Sequence, residues 1–137
     1  MGERAEVDPG VVGELRAICL ALPEAHEEPA WVGTRWRIRT KTFAHVLRID
    51  DGWPPAYVKV VGSDGPLTVL TFRTAGPAIL AVGDAGPPFF LPGWWDDIAG
   101  MVLDARTDWA EVAALVTDSY CALAPKRLAQ TVDRPPS

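Results

Sequence analysis

The sequence lacks the motifs that most often reveal a chemistry. Among its 137 residues there are two cysteines and two histidines, and Cys19 and Cys121 form neither a CxxC pair nor the His/Cys spacing of a zinc site. No GxSxG, HExxH, P-loop or GxGxxG motif is present. We therefore expect a non-enzymatic protein with no catalytic residues, no metal and no cofactor.

Long apolar runs are also missing. No stretch approaches the roughly 20 apolar residues of a membrane span, and the opening MGERAEVDPG lacks the basic start and apolar core of a signal peptide. We expect a soluble, cytoplasmic protein with no membrane partner. Its length is typical of one domain, residues 1–137, with a core of about residues 8–131 and frayed ends. Each cysteine lies in an apolar helical pattern, which favours reduced core thiols over a disulfide.

Acidic residues are absent from Pro29 to Ile49, although the whole chain carries a formal net charge of −5. This window holds five basic residues: Arg35, Arg37, Arg39, Lys41 and Arg48. The overall acidity, with a pI near 4.9, argues against a bulk polyanion binder, because strongly basic domains are the usual electrostatic footprint of such proteins. The pattern is that of one basic patch on an acidic body.

Residue spacing predicts an α+β fold on an antiparallel sheet of about five strands. Asp8 and Pro9 are typical of a helix start, and apolar residues at three- and four-residue spacing then predict an N-terminal helix. EAHEEPAWVG, residues 24–33, is typical of a loop. Strands are predicted in the hairpin that begins at Arg35 and in AYVKVVG, LTVLTFR and IAGMVLD.

The second half of the chain alternates helical and irregular segments. AGPAILAVG allows a short helix, and DAGPPFFLPGWWDD is typical of a loop. Asp108 and Glu111 form a capping pattern ahead of the C-terminal helix, which is expected to pack on the sheet. APKRLA then predicts a basic last turn or a short extra helix, and VDRPPS predicts a frayed tail.

The stretch TRWRIRTKTF, residues 34–43, alternates basic and apolar side chains. A two-residue turn at Thr40-Lys41 would pair Trp36 with His45 and sort the side chains onto two faces of a hairpin. The apolar face would carry Trp36, Ile38, Phe43, His45, Leu47 and Ile49. The opposite face would carry Arg35, Arg37, Arg39, Thr42, Ala44, Val46 and Arg48.

Two interpretations of the arginine face stay open at this stage. Arginines two positions apart project about 6.6–7 Å apart, which is close to the phosphate spacing of a nucleic-acid strand, and three or four contacts would give modest, salt-sensitive binding. Alternatively the arginines lie on a solvated strand face and pair with Glu24, Glu27 and Glu28. Lys126 and Arg127 either contact DNA as well or complement the negative end of a helix dipole.

Tryptophan and histidine supply the other candidate residues. Trp94 and Trp95 are adjacent in a Pro/Gly loop, so at least one of them is a candidate contact for a base, a peptide or a small molecule, the alternative being a loop that covers a minor core. His45 is predicted to be a satisfied core histidine opposite Trp36. His26 lies beside glutamates but has no helically spaced partner, so no metal or catalytic role is expected for it.

Four stretches of the sequence together cover roughly residues 10–130: LPEAHEE, WRIRTKTFAHV, LPGWWDDIAGMVL and DWAEVAALVTDSYCALAPKRLA. In these stretches the chain resembles the MmcQ/YjbR family of small bacterial proteins. The most specific pieces are Lys41 to Ala44, Ser119-Tyr120 and Ala124 to Leu128. The family implies a double-wing, DNA-binding-like α+β fold. On that basis the first hypothesis is a DNA-binding-like protein that contacts phosphate through the arginine face, and the alternative is a module for a protein or small anionic ligand that uses the same face and Trp94/Trp95.

Overall fold

A computed structural model describes residues 6–74 and 76–133 of the chain. Within these ranges the helices are α1 (Pro9–Cys19), α2 (Pro55–Val61), α3 (Pro77–Ala85), α4 (Trp109–Leu123) and α5 (Lys126–Ala129). The strands are β1 (Ala25–Pro29), β2 (Thr34–Ile38), β3 (Lys41–Ile49), β4 (Leu67–Arg73), β5 (Phe89–Phe90) and β6 (Ile98–Leu103). They form one antiparallel sheet in the order β1-β2-β3-β4-β6-β5. The predicted α+β class is confirmed, with one strand more than expected.

The two main helices begin at the residues that the sequence predicts. The Asp8 carboxylate accepts a hydrogen bond from the Gly10 N–H at 2.7 Å, with Pro9 in the first turn of α1. The Asp108 carboxylate accepts from the N–H groups of Ala110 and Glu111 at 3.0 and 3.3 Å. Both carboxylates satisfy amide donors that have no partner inside the helix. LTVLTFR is β4, residues 77–83 of AGPAILAVG lie in α3, and APKRLA supplies α5.

One face of the sheet is covered by α1 and α4, and the main core lies there. Ser119 in α4 joins this helix to two strands: its hydroxyl donates to the Phe43 carbonyl at 2.6 Å and accepts from the Arg73 N–H at 2.7 Å. The Tyr120 hydroxyl donates to the Pro23 carbonyl at 2.7 Å, which joins α4 to the segment between α1 and β1. Buried hydroxyls with a complete set of partners fix how a helix is placed on a sheet.

Both cysteines are free. Cys19 is buried in the main core, where burial raises the pKa of its thiol, and the negative charge of Glu27 adds to the rise. Cys121 is half-buried in α4. A buried thiol whose pKa is raised is an inert core residue.

The opposite face of the sheet is covered only in part. The short helix α2 packs Tyr57 on this face and closes a second, smaller core. The buried members of that core are Val32, Leu47, Ile49, Tyr57 and Val69. The half of this face that α2 leaves bare is called the open face below.

Two segments have a different structure from the one that the sequence predicts. EAHEEP was predicted as loop, but residues 25–29 form β1, whose side chains are intermediate or exposed along its whole length. Its polar residues pair with the β2 arginines across the strands, a stabilisation that hydrophobic patterning does not register. In DAGPPFFLPGWWDD, likewise predicted as loop, Phe89 and Phe90 form the two-residue β5.

AYVKVVG was predicted as a strand and is the helix α2. Its valines favour a strand, but Pro55 is in its first turn and Gly62 ends it in the left-handed conformation at φ 78°. Tyr57, Val58 and Val61 then lie on one side of the helix and pack on the second core. The proline and glycine at its ends outweigh the β propensity of three valines.

The predicted register of the first hairpin is wrong. The turn is at Arg39-Thr40 rather than Thr40-Lys41, with Ile38 opposite Lys41, and Arg39 has a φ of 56°. Trp36 pairs with Ala44 while Arg37 pairs with Thr42, so Phe43 is an extra residue, a β-bulge.

The bulge exchanges the faces that had been predicted for part of β3. Ala44 and Val46 join Trp36 in the main core, whereas His45, Leu47 and Ile49 lie on the opposite side of the sheet. Phe43, the bulged residue, stays with the main core as predicted. Arg48, two positions after Val46, lies on the α1/α4 side and does not join the arginine face. Of the frayed tail predicted for VDRPPS, residues 134–137 lie outside the described part of the chain.

We expect the substitution Ser119→Ala to lower the free energy of unfolding by about 2–3 kcal/mol, because it leaves a buried carbonyl and a partly buried N–H without their partner. Urea unfolding followed by tryptophan fluorescence measures the effect. The control is Ser63→Ala, since the Ser63 hydroxyl accepts one local bond from the Gly65 N–H at 3.1 Å. A loss for Ser119→Ala no larger than for the control would contradict the role given to Ser119.

Candidate functional site

The arginines of the hairpin are paired with carboxylates of β1. Glu28 lies opposite Arg35 in the sheet and contacts Arg35 Nε at 2.7 Å and Arg37 Nη1 at 3.2 Å. Arg37 also donates to the Thr40 carbonyl. Desolvation by itself raises the pKa of Glu28, but the hydrogen bonds and charges of Arg35 and then Arg37 outweigh it, so the pKa lies below its ordinary value. One carboxylate thus serves two guanidinium groups.

Glu27 faces the other side of β1. It accepts two hydrogen bonds from Arg16 of α1, each at 2.9 Å, and a third from the Trp36 indole N–H at 2.9 Å. The hydrogen bond from Arg16 is the largest cause that lowers the pKa of Glu27; burial opposes it, and the bond from Trp36 adds to the lowering. Glu27 therefore joins α1 to the sheet and leaves the arginine face to Glu28.

Glu24 brings the hairpin turn and α5 together. Its carboxylate lies 3.5 Å from Arg39 Nη2 and 3.9 Å from Arg127 Nη2. These are long contacts between groups whose side chains are at least half exposed. Lys41 and Lys126 are exposed, and neither makes an ion pair with the residues that the structure describes. The name basic corner is used below for Arg39, Lys41, Lys126 and Arg127.

Arg48 stands apart from the other predicted anion contacts. Its Nε lies 3.6 Å from the Asp50 carboxylate, on the α1/α4 side of the sheet. The predicted set is therefore divided into three places. Arg35 and Arg37 lie on the open face, Arg39, Lys41, Lys126 and Arg127 form the basic corner, and Arg48 lies on the opposite side.

The loop between β5 and β6, which carries Trp94 and Trp95, lies beside the arginine face. Trp94 packs edge-on against Tyr57 with ring centroids 4.9 Å apart, and 40% of its surface is exposed. Trp95 is 65% exposed. The sequence did not single out Trp31, which is 77% exposed in the β1–β2 turn and lies 5.3 Å from Trp53 between ring centroids.

A cavity of about 370 Å³ opens on the open face, between β2, β3 and β4 on one side and α2 on the other. Arg35 and Arg73 bring positive charge to it, and Trp31, Tyr57 and Trp94 bring aromatic walls. Arg73 extends from the end of β4 and contacts the Asp97 carboxylate at 2.7 Å. The name open-face cavity is used for this space below.

A polar row forms the floor of the open-face cavity. Arg35, His45 and Thr71 are direct neighbours across β2, β3 and β4. Tyr57 from α2 lies edge-on to His45 with ring centroids 6.5 Å apart. Burial raises the pKa of Tyr57 to about 12, with a hydrogen bond from Thr71 acting against the rise. The phenol is neutral at any physiological pH and offers a hydroxyl rather than a charge.

His45 is a satisfied histidine, as predicted, but on the opposite face from Trp36. Its Nε2 lies 2.6 Å from the Val32 carbonyl, which can only accept, so Nε2 carries the proton. Burial lowers the pKa of His45; the hydrogen bond to Val32 opposes the lowering, and the charge of Arg35 adds to it. The ring is neutral at neutral pH, and it holds the β1–β2 turn that carries Trp31.

Three residues of the open-face cavity escaped the sequence analysis. Tyr57 did so because α2 was predicted as a strand, and Arg73 because its position at the end of β4 gave no sign of a partner in the loop before β6. Trp31 was assigned to a loop of no special role. The sequence signal that could have drawn attention to it is Gly33, two positions later, which turns at φ 76° and leaves Trp31 exposed in the turn.

The described residues contain no group of three or more acidic, histidine or cysteine side chains placed to hold a metal ion. Among the described helices, none has both the length and the hydropathy to cross a membrane.

We expect His45 to make folding stability depend on pH. Because its pKa is below 6.5 in the folded state, the unfolded chain takes up the proton first as the pH falls. The stability contribution is therefore complete above about pH 6.5 and declines below it. The free energy of unfolding, measured in urea at about pH 7.5 and about pH 5.5, should fall less in His45→Gln than in the unsubstituted protein.

The matched control for this prediction is His26→Gln, because His26 is exposed on β1. Glu27 and Glu28 titrate below their ordinary value of 4.5 and do not contribute in this pH window. An equal loss of stability in His45→Gln and in the unsubstituted protein would show that His45 does not carry the effect.

Comparison with known proteins identifies one family. The family model YjbR matches residues 20–122, which include the entire sheet, α2, α3 and all of α4 except its last residue. No curated protein and no solved structure matches the chain. Because the match covers well over half of the sequence and every strand that surrounds the open-face cavity, the chain belongs to the YjbR family.

Proposed function

We propose that the protein is a non-catalytic binding module whose open-face cavity takes a small organic anion with a flat ring. The observation that carries the proposal is the combination of Arg35 and Arg73 with three aromatic walls in one cavity. A volume of about 370 Å³ is in the range of small-ligand pockets, which combine apolar walls with a few polar groups that set orientation. A carboxylate or phosphate complements the arginines, and a ring complements the tryptophans.

The resident carboxylates leave room for such a ligand. Glu28 engages Nε and Nη2 of Arg35, and Asp97 engages Nη1 of Arg73. A guanidinium group has five N–H donors, so each arginine keeps donors for a second anion. The carboxylates also hold the two guanidinium groups in place, which lowers the entropy that the ligand must overcome on binding.

The chemistry of the cavity supports binding rather than catalysis. His45 has its proton on Nε2 and uses it in a hydrogen bond to the Val32 carbonyl. Tyr57, with its pKa of about 12, is too weak an acid for proton transfer near neutral pH. Neither group is a ready proton donor at pH 7, because the His45 N–H is used by the Val32 carbonyl and the Tyr57 phenol keeps its proton.

We expect Arg35→Gln to weaken the binding of anionic ring probes by about tenfold or more, because it removes a charge-assisted hydrogen bond. The probes are phenyl phosphate, indoleacetate and adenosine monophosphate, followed by tryptophan fluorescence. Each is compared with its uncharged match: phenol, indoleacetamide and adenosine. The matched control is Arg37→Gln, since Arg37 shares Glu28 with Arg35 but does not line the cavity.

The charged probe should bind more tightly than its neutral match, and Arg37→Gln should bind almost as the unsubstituted protein does. Equal affinity for the charged and neutral members of all three pairs would contradict the proposal. So would an equal loss in the two variants, because it would indicate a general charge effect of the hairpin.

A second candidate function is weak binding of DNA through the basic corner. It is favoured by the convergence of Arg39 and Arg127 on Glu24, which joins the hairpin turn to α5. Two cations thus share one carboxylate, and the long contacts to Glu24 can be exchanged for phosphate contacts at little cost. The acidic body, with a net charge of −5, limits such binding to short-range contacts.

We expect Arg39→Glu and Arg127→Glu to abolish any binding of a short duplex, because each reverses a charge in the basic corner. Fluorescence anisotropy of a labelled duplex of about 20 base pairs at about 50 mM salt is the measurement, and three or four phosphate contacts predict an affinity loss of about fiftyfold by about 200 mM salt. The control is Arg106→Glu, an exposed arginine that follows β6. No change in anisotropy at micromolar protein, or an equal loss in the control, would reject this candidate.

A further inference from the structure

A second and larger cavity, of about 560 Å³, lies at the far edge of the sheet. It exists because β5 is only two residues long and pairs with Gly100 and Met101 of β6. One further hydrogen bond joins the Val102 N–H to the Pro88 carbonyl at 2.9 Å. Beyond that point the side of β6 is bordered by the end of α2 and the start of α4, and the cavity fills the space between them. The name edge cavity is used for it here.

The floor of the edge cavity is apolar. Phe90 fixes one wall, because its ring lies where a side chain of Gly100 would be: a Cβ added there would come within 2.3 Å of Phe90 Cζ. The ring can therefore occupy this place only because residue 100 is glycine. The remaining apolar lining is supplied by Val61, Pro87, Pro88, Phe89, Met101 and Val102.

The rim of the edge cavity carries an excess of negative charge. Asp104, Asp108 and Glu111 line it together with one cation, Arg106. None of these carboxylates forms an ion pair within 4.0 Å in the described part of the chain, in contrast to Glu24 and Glu28 at the arginines. Asp104 and Asp108 accept backbone hydrogen bonds, whereas no residue in ranges 6–74 and 76–133 donates a hydrogen bond to the Glu111 side chain.

The helix dipole of α4 acts against this negative charge but is smaller. The N-terminus of a helix is equivalent to about half a positive charge, while the three carboxylates and Arg106 sum to a net negative rim. A ligand with a positive group at the rim and an apolar body on the floor therefore satisfies both parts of the cavity.

We propose that the edge cavity binds a small organic cation, an ammonium group on an aromatic or branched apolar body. The ammonium group lies at the rim near Glu111, and the body packs on Phe90 and Val102. This site is independent of the proposed function, since it lies at the other end of the sheet from Arg35 and takes a ligand of the opposite charge.

Three probes of similar size, each with one phenyl ring, test the proposal: phenethylammonium, phenethyl alcohol and phenylpropionate. The affinity of the folded protein for each is measured by titration in backbone amide NMR spectra, which also locate the site. The cation should bind most tightly and phenylpropionate least. The amide chemical shifts that phenethylammonium changes should be those of Phe90, Val102 and Glu111, and the amide shift of His45 should stay the same.

Two variants that change the charge of the rim in opposite directions extend the test. Glu111→Gln should weaken phenethylammonium by about two- to fivefold, the effect of one partly exposed charge, and Arg106→Gln should strengthen it by a similar factor. The control Glu14→Gln on α1 should change nothing, and thermal unfolding confirms that each variant is folded. Equal affinity for the cation and the alcohol, changes located elsewhere, or the same response in Glu111→Gln and Glu14→Gln would each overturn the proposal.

Discussion

The extra residue in β3 determines which side chains meet on each face of the sheet. Without the bulge at Phe43, a strict alternation from Trp36 would place Val46 away from the main core and bring Leu47 into it. The bulge lets Phe43 and Ala44 both serve the α1/α4 side and turns His45 toward the other side. The Ser119 hydroxyl donates to the carbonyl of Phe43, the bulged residue, so α4 is anchored to β3 at the bulge. Both the main core and the open-face cavity depend on that one register change.

Strand β1 then determines what the arginines can do. A strand alternates its side chains, so the adjacent Glu27 and Glu28 serve opposite faces: Glu27 holds Arg16 and Trp36 on the helix side, and Glu28 holds Arg35 and Arg37 on the other. The basic window that appears unopposed in the sequence is therefore opposed by the strand beside it. An arginine that already holds one carboxylate keeps N–H donors for one further anion, which is the condition that the proposed function requires.

Local chemistry made part of the fold predictable. The carboxylates of Asp8 and Asp108 cap their helices through neighbouring amides, and LTVLTFR coincides with β4 because its apolar content is high throughout. The segments that escaped prediction depend on distant partners. AHEEP is a strand because arginines lie across from it, and the hairpin register follows from a bulge whose carbonyl is bonded 76 positions away. The candidate site shows the same division: Arg35 and Trp94 were predictable by type, whereas Tyr57 and Arg73 join them only through the fold.

The length of α2 explains why a cavity lies on the open face at all. A helix of seven residues is about 10 Å long, whereas β3, with nine residues, extends for about 30 Å. The helix covers the apolar end of that face, where Leu47, Ile49 and Val69 are buried. It stops at the row formed by Arg35, His45 and Thr71. From there the face is polar, with Arg35 and Arg73 held by carboxylates of β1 and of the loop before β6. The face is therefore apolar where α2 covers it and polar and aromatic beyond the helix, and these are the two characters that the proposed ligand combines.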